Sequence, residues 1–130
     1  MGGGRYGFDI DYYVGPNGGV LPGKFKKWIG VNRRDRLLAK AKNPKLRKAI
    51  DLLYRSGSFI GDGGTASVLK FEKRTGLNVG YNGNSHYQKA TDLETYLSKK
   101  VLKQNLTAGE RKLAEKMIKS LKKSIIEWRS

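Results

Sequence analysis

The stretch that most narrows the possible folds is Thr107-Ala108-Gly109-Glu110 and the run behind it, Leu113, Ala114, Met117, Ile118, Leu121 and Ile125. A hydroxyl followed three residues later by a carboxylate is a reciprocal cap. Each side chain satisfies a backbone N–H that the first helical turn leaves without a partner. The apolar positions recur every three or four residues, so they fall on one stripe of an α-helix. Arg111, Lys112, Lys116, Lys119, Lys122 and Lys123 take the opposite side. A helix divided in this way is stable in water when its stripe packs against other elements, and the rest of the chain must supply them.

The rest of the chain supplies mostly helices. Arg33 to Ala41 reads as a short basic helix with Leu37 and Leu38 as its apolar face. Asn43-Pro44 pairs a capping side chain with a proline, whose missing N–H costs nothing at the first helical position. Leu46, Ala49, Ile50 and Leu53 continue at helical spacing to about Arg55, and Gly57 stops them. Thr65 caps a third helix with Ala66, Leu69 and Phe71 inward and Gly76 at its end. Asn84 or Ser85 caps a fourth, which carries Ala90, Leu93, Leu97 and Val101 on one side. Signals for β structure are minor. Phe8, Ile10, Tyr12 and Val14 alternate with polar residues ahead of Gly15-Pro16-Asn17-Gly18-Gly19, a small hairpin or an irregular segment. Leu77 to Tyr81 reads as a short strand. The predicted fold is predominantly α, about five helices with a small N-terminal β-hairpin or irregular segment (α+β if the β part is larger). Residues 1–30 are a Gly/aromatic-rich lead-in and residues 31–130 the helical domain, in one compact domain overall.

Charge then limits the partners. The 130 residues carry a formal +16, and self-repulsion of that size is usually retained for a polyanion. Nucleic acid is the first candidate, an anionic membrane surface the second and an acidic protein the third. The excess is uneven. Residues 24–55 hold 12 basic against 2 acidic groups and residues 99–130 hold 10 against 3, whereas 56–98 balance at 4 against 4. With no cysteine and one histidine, thiolate and polyhistidine metal sites are excluded, and neither a metal nor a cofactor is expected. No run reaches the ~18 apolar residues of a membrane span, so stable membrane insertion is not expected.

That single histidine, His86, lies inside the neutral block, in Asn84-Ser85-His86-Tyr87-Gln88-Lys89. Ribonucleolytic cleavage needs no metal, because RNA carries its own nucleophile. A base takes the 2′-OH proton, cations stabilise the phosphorane, and an acid protonates the leaving 5′-oxygen. Histidine suits the proton transfers, and Lys89 and Tyr87 stand within one turn of it. Asp62-Gly63-Gly64-Thr65 reads as an anion-cradling turn, in which Gly64 lets the backbone approach a phosphate and Thr65 and Ser67 add hydroxyls. If both helix starts open on one cleft, Thr65, Ser67 and His86 converge there. The basic faces, Lys112 and Lys116 among them, grip flanking phosphates with little sequence preference. Tyr12, Tyr13, Trp28 and Tyr81 are available to stack on unpaired bases, although Trp28, like Trp128, reads first as a core or interface group. A structural turn, a capping histidine and a non-catalytic nucleic-acid-binding module explain the same residues, and both readings stay open here. A third reading, a membrane-active helix over 111–128, rests on amphipathicity alone.

The order of Asn43-Pro44-Lys45-Leu46, Asp51-Leu52-Leu53-Tyr54-Arg55, Ile60-Gly61-Asp62-Gly63-Gly64-Thr65-Ala66, Lys73-Arg74-Thr75-Gly76, Val79-Gly80 and His86-Tyr87-Gln88-Lys89, closed by the amphipathic helix, resembles the C-terminal toxin domains of bacterial contact-dependent growth inhibition and Rhs-type polymorphic toxins. The likeness spans about residues 43–125. It implies an antibacterial toxin, carried by a larger exported protein into the cytoplasm of a target cell and restrained by a cognate immunity protein. For a +16 chain that inhibitor is expected to be acidic. Nuclease activity on RNA, tRNA or another structured RNA, is the implied chemistry. Matched position by position, the resemblance marks Thr65, His86, Gln88 and Lys89 as the functional set, with Asp62 and Arg74 beside them. The expected site is thus His86, Lys89, Thr65 and Tyr87 for catalysis, and Asp62, Gly64, Ser67, Arg74, Gln88, Lys112 and Lys116 for binding RNA.

Overall fold

The computed structural model describes residues 26–130. They form an all-α fold of five helices with no β-strand among them: α1 (Arg34–Ala39), α2 (Pro44–Leu53), α3 (Thr65–Thr75), α4 (Tyr87–Tyr96) and α5 (Ala108–Arg129). The expected hairpin over Phe8 to Leu21 lies outside the described residues. The stripe on α5 does what its spacing demands, packing chiefly against α3 and α4. Ala114, Met117, Ile118, Leu121 and Ile125 are buried in one cluster with Leu46, Ala49 and Ile50 of α2, Leu69 of α3 and Leu93 of α4.

The caps behave as their chemistry requires. Asn43 Oδ1 accepts from the backbone N–H groups of Lys45 and Leu46, and Pro44 opens α2. Thr107 Oγ1 accepts from the Glu110 N–H at 3.1 Å, while Glu110 Oε1 accepts from Thr107 N–H at 3.0 Å. The second oxygen of Glu110 reaches further, accepting from the N–H groups of Lys42 and Asn43 at 2.8 and 2.9 Å. One carboxylate therefore caps α5 and ties down the α1–α2 turn.

These backbone donors, Thr107 first and then Asn43 and Lys42, hold the Glu110 carboxyl at about 2, below its usual 4.5. A carboxylate whose folded value is depressed adds stability above its unfolded value and loses it as pH falls towards the folded one. Thermal melts are therefore expected to lose stability as pH falls from 4.5 to about 2. Glu110→Gln should melt lower than the parent at neutral pH and flatten that slope. An unchanged slope would discount the tie.

Several boundaries differ from the expectation: α1 ends at Ala39, not Ala41, and His86, not Asn84 or Ser85, takes the cap position of α4. Helix α2 stops at Leu53 because Tyr54 is extended (φ −116°, ψ 103°) and bridges Gly64. Gly64, not Thr65, takes the cap position of α3, and the Thr65 hydroxyl turns back to donate to the Leu53 carbonyl at 3.0 Å. No strand forms over Leu77 to Tyr81. The Val79 N–H donates instead to Glu72 Oε2 at 2.9 Å, and Leu77 N–H to Thr75 Oγ1 at 3.2 Å. These side-chain acceptors remove the need for a strand partner.

Beyond α4 the chain widens into a π turn over Leu97–Val101, closed by Leu102 N–H on the Leu97 carbonyl. Leu93, Leu97 and Val101 are four residues apart, a longer repeat than the 3.6-residue α turn. The wider turn keeps Leu97 and Val101 both fully buried.

A buried imidazole–carboxylate pair beside a cationic cleft

Between the end of α2, the turn at Tyr81–Gly83 and the start of α4 lies a cleft of about 900 Å³, within the range of small-ligand sites. Four of the expected residues, His86, Tyr87, Gln88 and Lys89, line it together. Their convergence follows from local structure. His86 holds the cap position of α4, Ser85 Oγ accepts from Tyr87 N–H, and Lys89 stands one turn on from His86 along the same face.

The imidazole is 4% exposed and is held by a residue that the sequence did not single out. Glu72, fully buried on α3, accepts from the His86 backbone N–H through Oε1 at 2.6 Å and meets His86 Nδ1 through Oε2 at 2.9 Å. Against a carboxylate, which accepts and does not donate, Nδ1 is the donor and Nε2 is the ring's other nitrogen. Among the described residues no group hydrogen-bonds Nε2. Gly80 lies beside the ring. A Cβ there would stand 3.6 Å from His86 Cε1 and 2.4 Å from the Asn84 carbonyl oxygen, which already accepts from Gly80 N–H.

Lys89 lines the same cleft. Burial first, and the nearby Arg55 charge second, push its ammonium down to about 8 from 10.5. Arg34 and Arg55 add cations to the same lining. Of the two carboxylates there, Asp51 is ion-paired with Arg34, and Asp92 accepts from Gln88 Nε2 at 2.8 Å. Tyr87 stacks on Trp128 with ring centroids 6.0 Å apart, and its hydroxyl accepts from Arg129 Nε at 2.7 Å. It therefore anchors the end of α5 to the cleft.

The glycine turn does not join this site, which corrects the expected convergence of Thr65 and Ser67 with His86. Its donors are already taken by its own carboxylate. Asp62 Oδ1 accepts from Gly64 N–H and Ser67 Oγ, both at 2.9 Å, and Oδ2 from the Tyr54 hydroxyl at 3.2 Å. Burial and that neighbouring carboxylate push the Tyr54 phenol up. A carboxylate that fills a helix start does there what a phosphate would do, and Thr65, 2% exposed, spends its hydroxyl on Leu53. Asp62, Gly64, Thr65 and Ser67 instead border a small separate hollow against Met117 and Leu121. Arg74 is also elsewhere, in a two-bond ion pair with Glu127 on α5 at 2.8 and 3.2 Å. Lys112 and Lys116 are exposed on the outer face of α5 and do not line the cleft.

Glu72 left a trace in the sequence. It follows Val68 by four residues and Leu69 by three, so a carboxylate stands at the inward phase of α3. A buried acid in a chain with one histidine is a natural partner for it. Among the described residues no group of three or more His, Asp or Glu is placed to hold a metal ion. No described helix is long and apolar enough to cross a membrane. Comparison with known protein families, curated proteins and solved structures found no match to this chain.

Proposed function

We propose that the protein is a metal-independent ribonuclease, an antibacterial toxin domain of the contact-dependent or polymorphic kind. The observation that carries this reading is the Glu72–His86 pair, whose imidazole lines one cleft with the acidified Lys89. His86 Nε2 accepts the 2′-OH proton of the ribose, and the 2′-oxygen attacks phosphorus. The 5′-oxygen leaves, so the products are a 2′,3′-cyclic phosphate and a 5′-hydroxyl. The Lys89 ammonium faces the charge gathering on the phosphorane, and with its value near 8 it is acid enough to protonate the departing oxygen. The phosphate contacts first expected of Thr65 and Ser67 pass to Arg55 and Lys89, while exposed Lys112 and Lys116 hold flanking backbone without reading sequence.

The resemblance extends the proposal to its setting: tRNA or another structured RNA as substrate, export within a larger carrier, action in the target-cell cytoplasm, and an acidic immunity protein as the restraining partner. The non-catalytic binding module keeps the basic faces and needs no oriented imidazole. The membrane reading loses its support, because the apolar face of α5 is spent in the core.

The test is digestion of total RNA by the purified protein in EDTA, with the new ends identified. Cyclic phosphate and 5′-hydroxyl ends are expected, at a rate that falls as pH rises through about 8, where Lys89 loses its proton. In Lys89→Arg the rate should drop, because arginine holds its proton too tightly to give it to the leaving oxygen, and the remaining activity should lack that alkaline fall, because arginine stays charged. Intact RNA, or cleavage that needs an added divalent ion, would overturn the proposal.

A further inference from the structure

The cleft holds two large apolar side chains that a site for bare phosphate has no use for. Tyr81 is 57% exposed and Leu52 is 42% exposed, and both line the same space as Arg34, Arg55 and Lys89. Tyr81 is displayed by a closed turn. Asn84 N–H bonds the Tyr81 carbonyl, Gly80 N–H bonds the Asn84 carbonyl, and Asn82 and Gly83 supply the left-handed residues the turn requires (φ 58° and 76°). That turn leads directly out of Gly80, which abuts the His86 ring. An aromatic face thus stands one residue from the imidazole's neighbour, with cations around it.

We propose that Tyr81, with Leu52, forms a nucleobase subsite beside His86, so that the cleft takes an unpaired nucleotide rather than a base-paired one. A base can lie against an aromatic side chain only after leaving its own stack. The apolar pair takes the base, and the cations take the phosphate. The proposal rests on the nucleic-acid reading of the cleft given above and adds which conformation of RNA it admits. A structured RNA is then attacked at a loop, bulge or end.

The experiment uses fluorescently labelled 2′-O-methyl hexanucleotides, single-stranded or in a hairpin stem, which bind without being cut. Affinity is measured by anisotropy across a salt series. The single strand is expected to bind more tightly than the stem. Tyr81→Leu should weaken the single strand by about 5- to 150-fold at every salt concentration, while Tyr81→Trp retains it. Stacking is not counter-ion release, so Tyr81→Leu leaves the salt slope unchanged, whereas Lys112→Ala/Lys116→Ala lowers it. Circular dichroism of each variant checks the fold. Equal affinity for strand and stem, or a Tyr81→Leu protein that binds as the parent does, overturns the subsite. Because the probes lack a reactive 2′-oxygen, a failure of catalysis leaves this result unaffected, and the two proposals can fail separately.

Discussion

His86→Asn is expected to lower RNA cleavage by about 10²- to 10⁴-fold while leaving a folded protein that still binds RNA. Asparagine is the informative replacement because its side-chain N–H reaches roughly where Nδ1–H was and can still donate to Glu72, yet nothing replaces Nε2. Alanine is the poorer probe. His86 is buried with its ring on a buried carboxylate, so Ala leaves both a hole and a carboxylate short of a donor, and lost activity becomes inseparable from lost fold. The measurements are the single-turnover rate on a labelled RNA, the affinity for an uncleavable analogue and the melting temperature. A His86→Asn protein that cleaves at the parental rate removes the imidazole from the mechanism. One whose binding collapses along with its rate makes the residue structural.

Glu72→Leu is expected to be the most damaging single change for stability. The carboxylate accepts from Val79 N–H, His86 N–H and His86 Nδ1 with essentially no exposure. Leucine fills the volume but leaves three buried donors unanswered, a loss of about 3–5 kcal/mol, or on the order of 10 °C or more in melting temperature for a domain of this size. Glu72→Gln separates position from stability. Its amide keeps one acceptor oxygen, so it should fold, but its NH₂ group disfavours the Nδ1–H tautomer. Assayed well below its melting point, it should lose about 10²- to 10⁴-fold in rate and keep the alkaline limb set by Lys89. A Glu72→Gln enzyme of normal rate would confine this residue to holding the fold.

The helices were legible because their signals are local. Thr107 and Glu110 cap each other within one turn, and Asn43 with Pro44 needs no partner elsewhere. The grouping of His86 through Lys89 was legible for the same reason, since one helix start places all four. What escaped depended on distant contacts. Nothing near Glu110 announces that it also holds Lys42 and Asn43, 68 and 67 positions away. The glycine turn misled because its spacing says that backbone donors are presented but not who takes them, and here Asp62 does. The strand expected at Leu77 to Tyr81 failed for a similar reason: Leu77 and Val79 do pack inward, but the hydrogen-bond acceptor was a glutamate from the preceding helix.

The spacing of Glu72 and His86 has a consequence for timing. The thirteen residues between them include no strand, so nothing but the packed protein brings the imidazole and the carboxylate together. On the ribonuclease proposal, a nascent or stretched chain carries the residues of that chemistry without the pairing it needs. On the ribonuclease proposal, activity waits on the folding that seats His86 on Glu72 of α3.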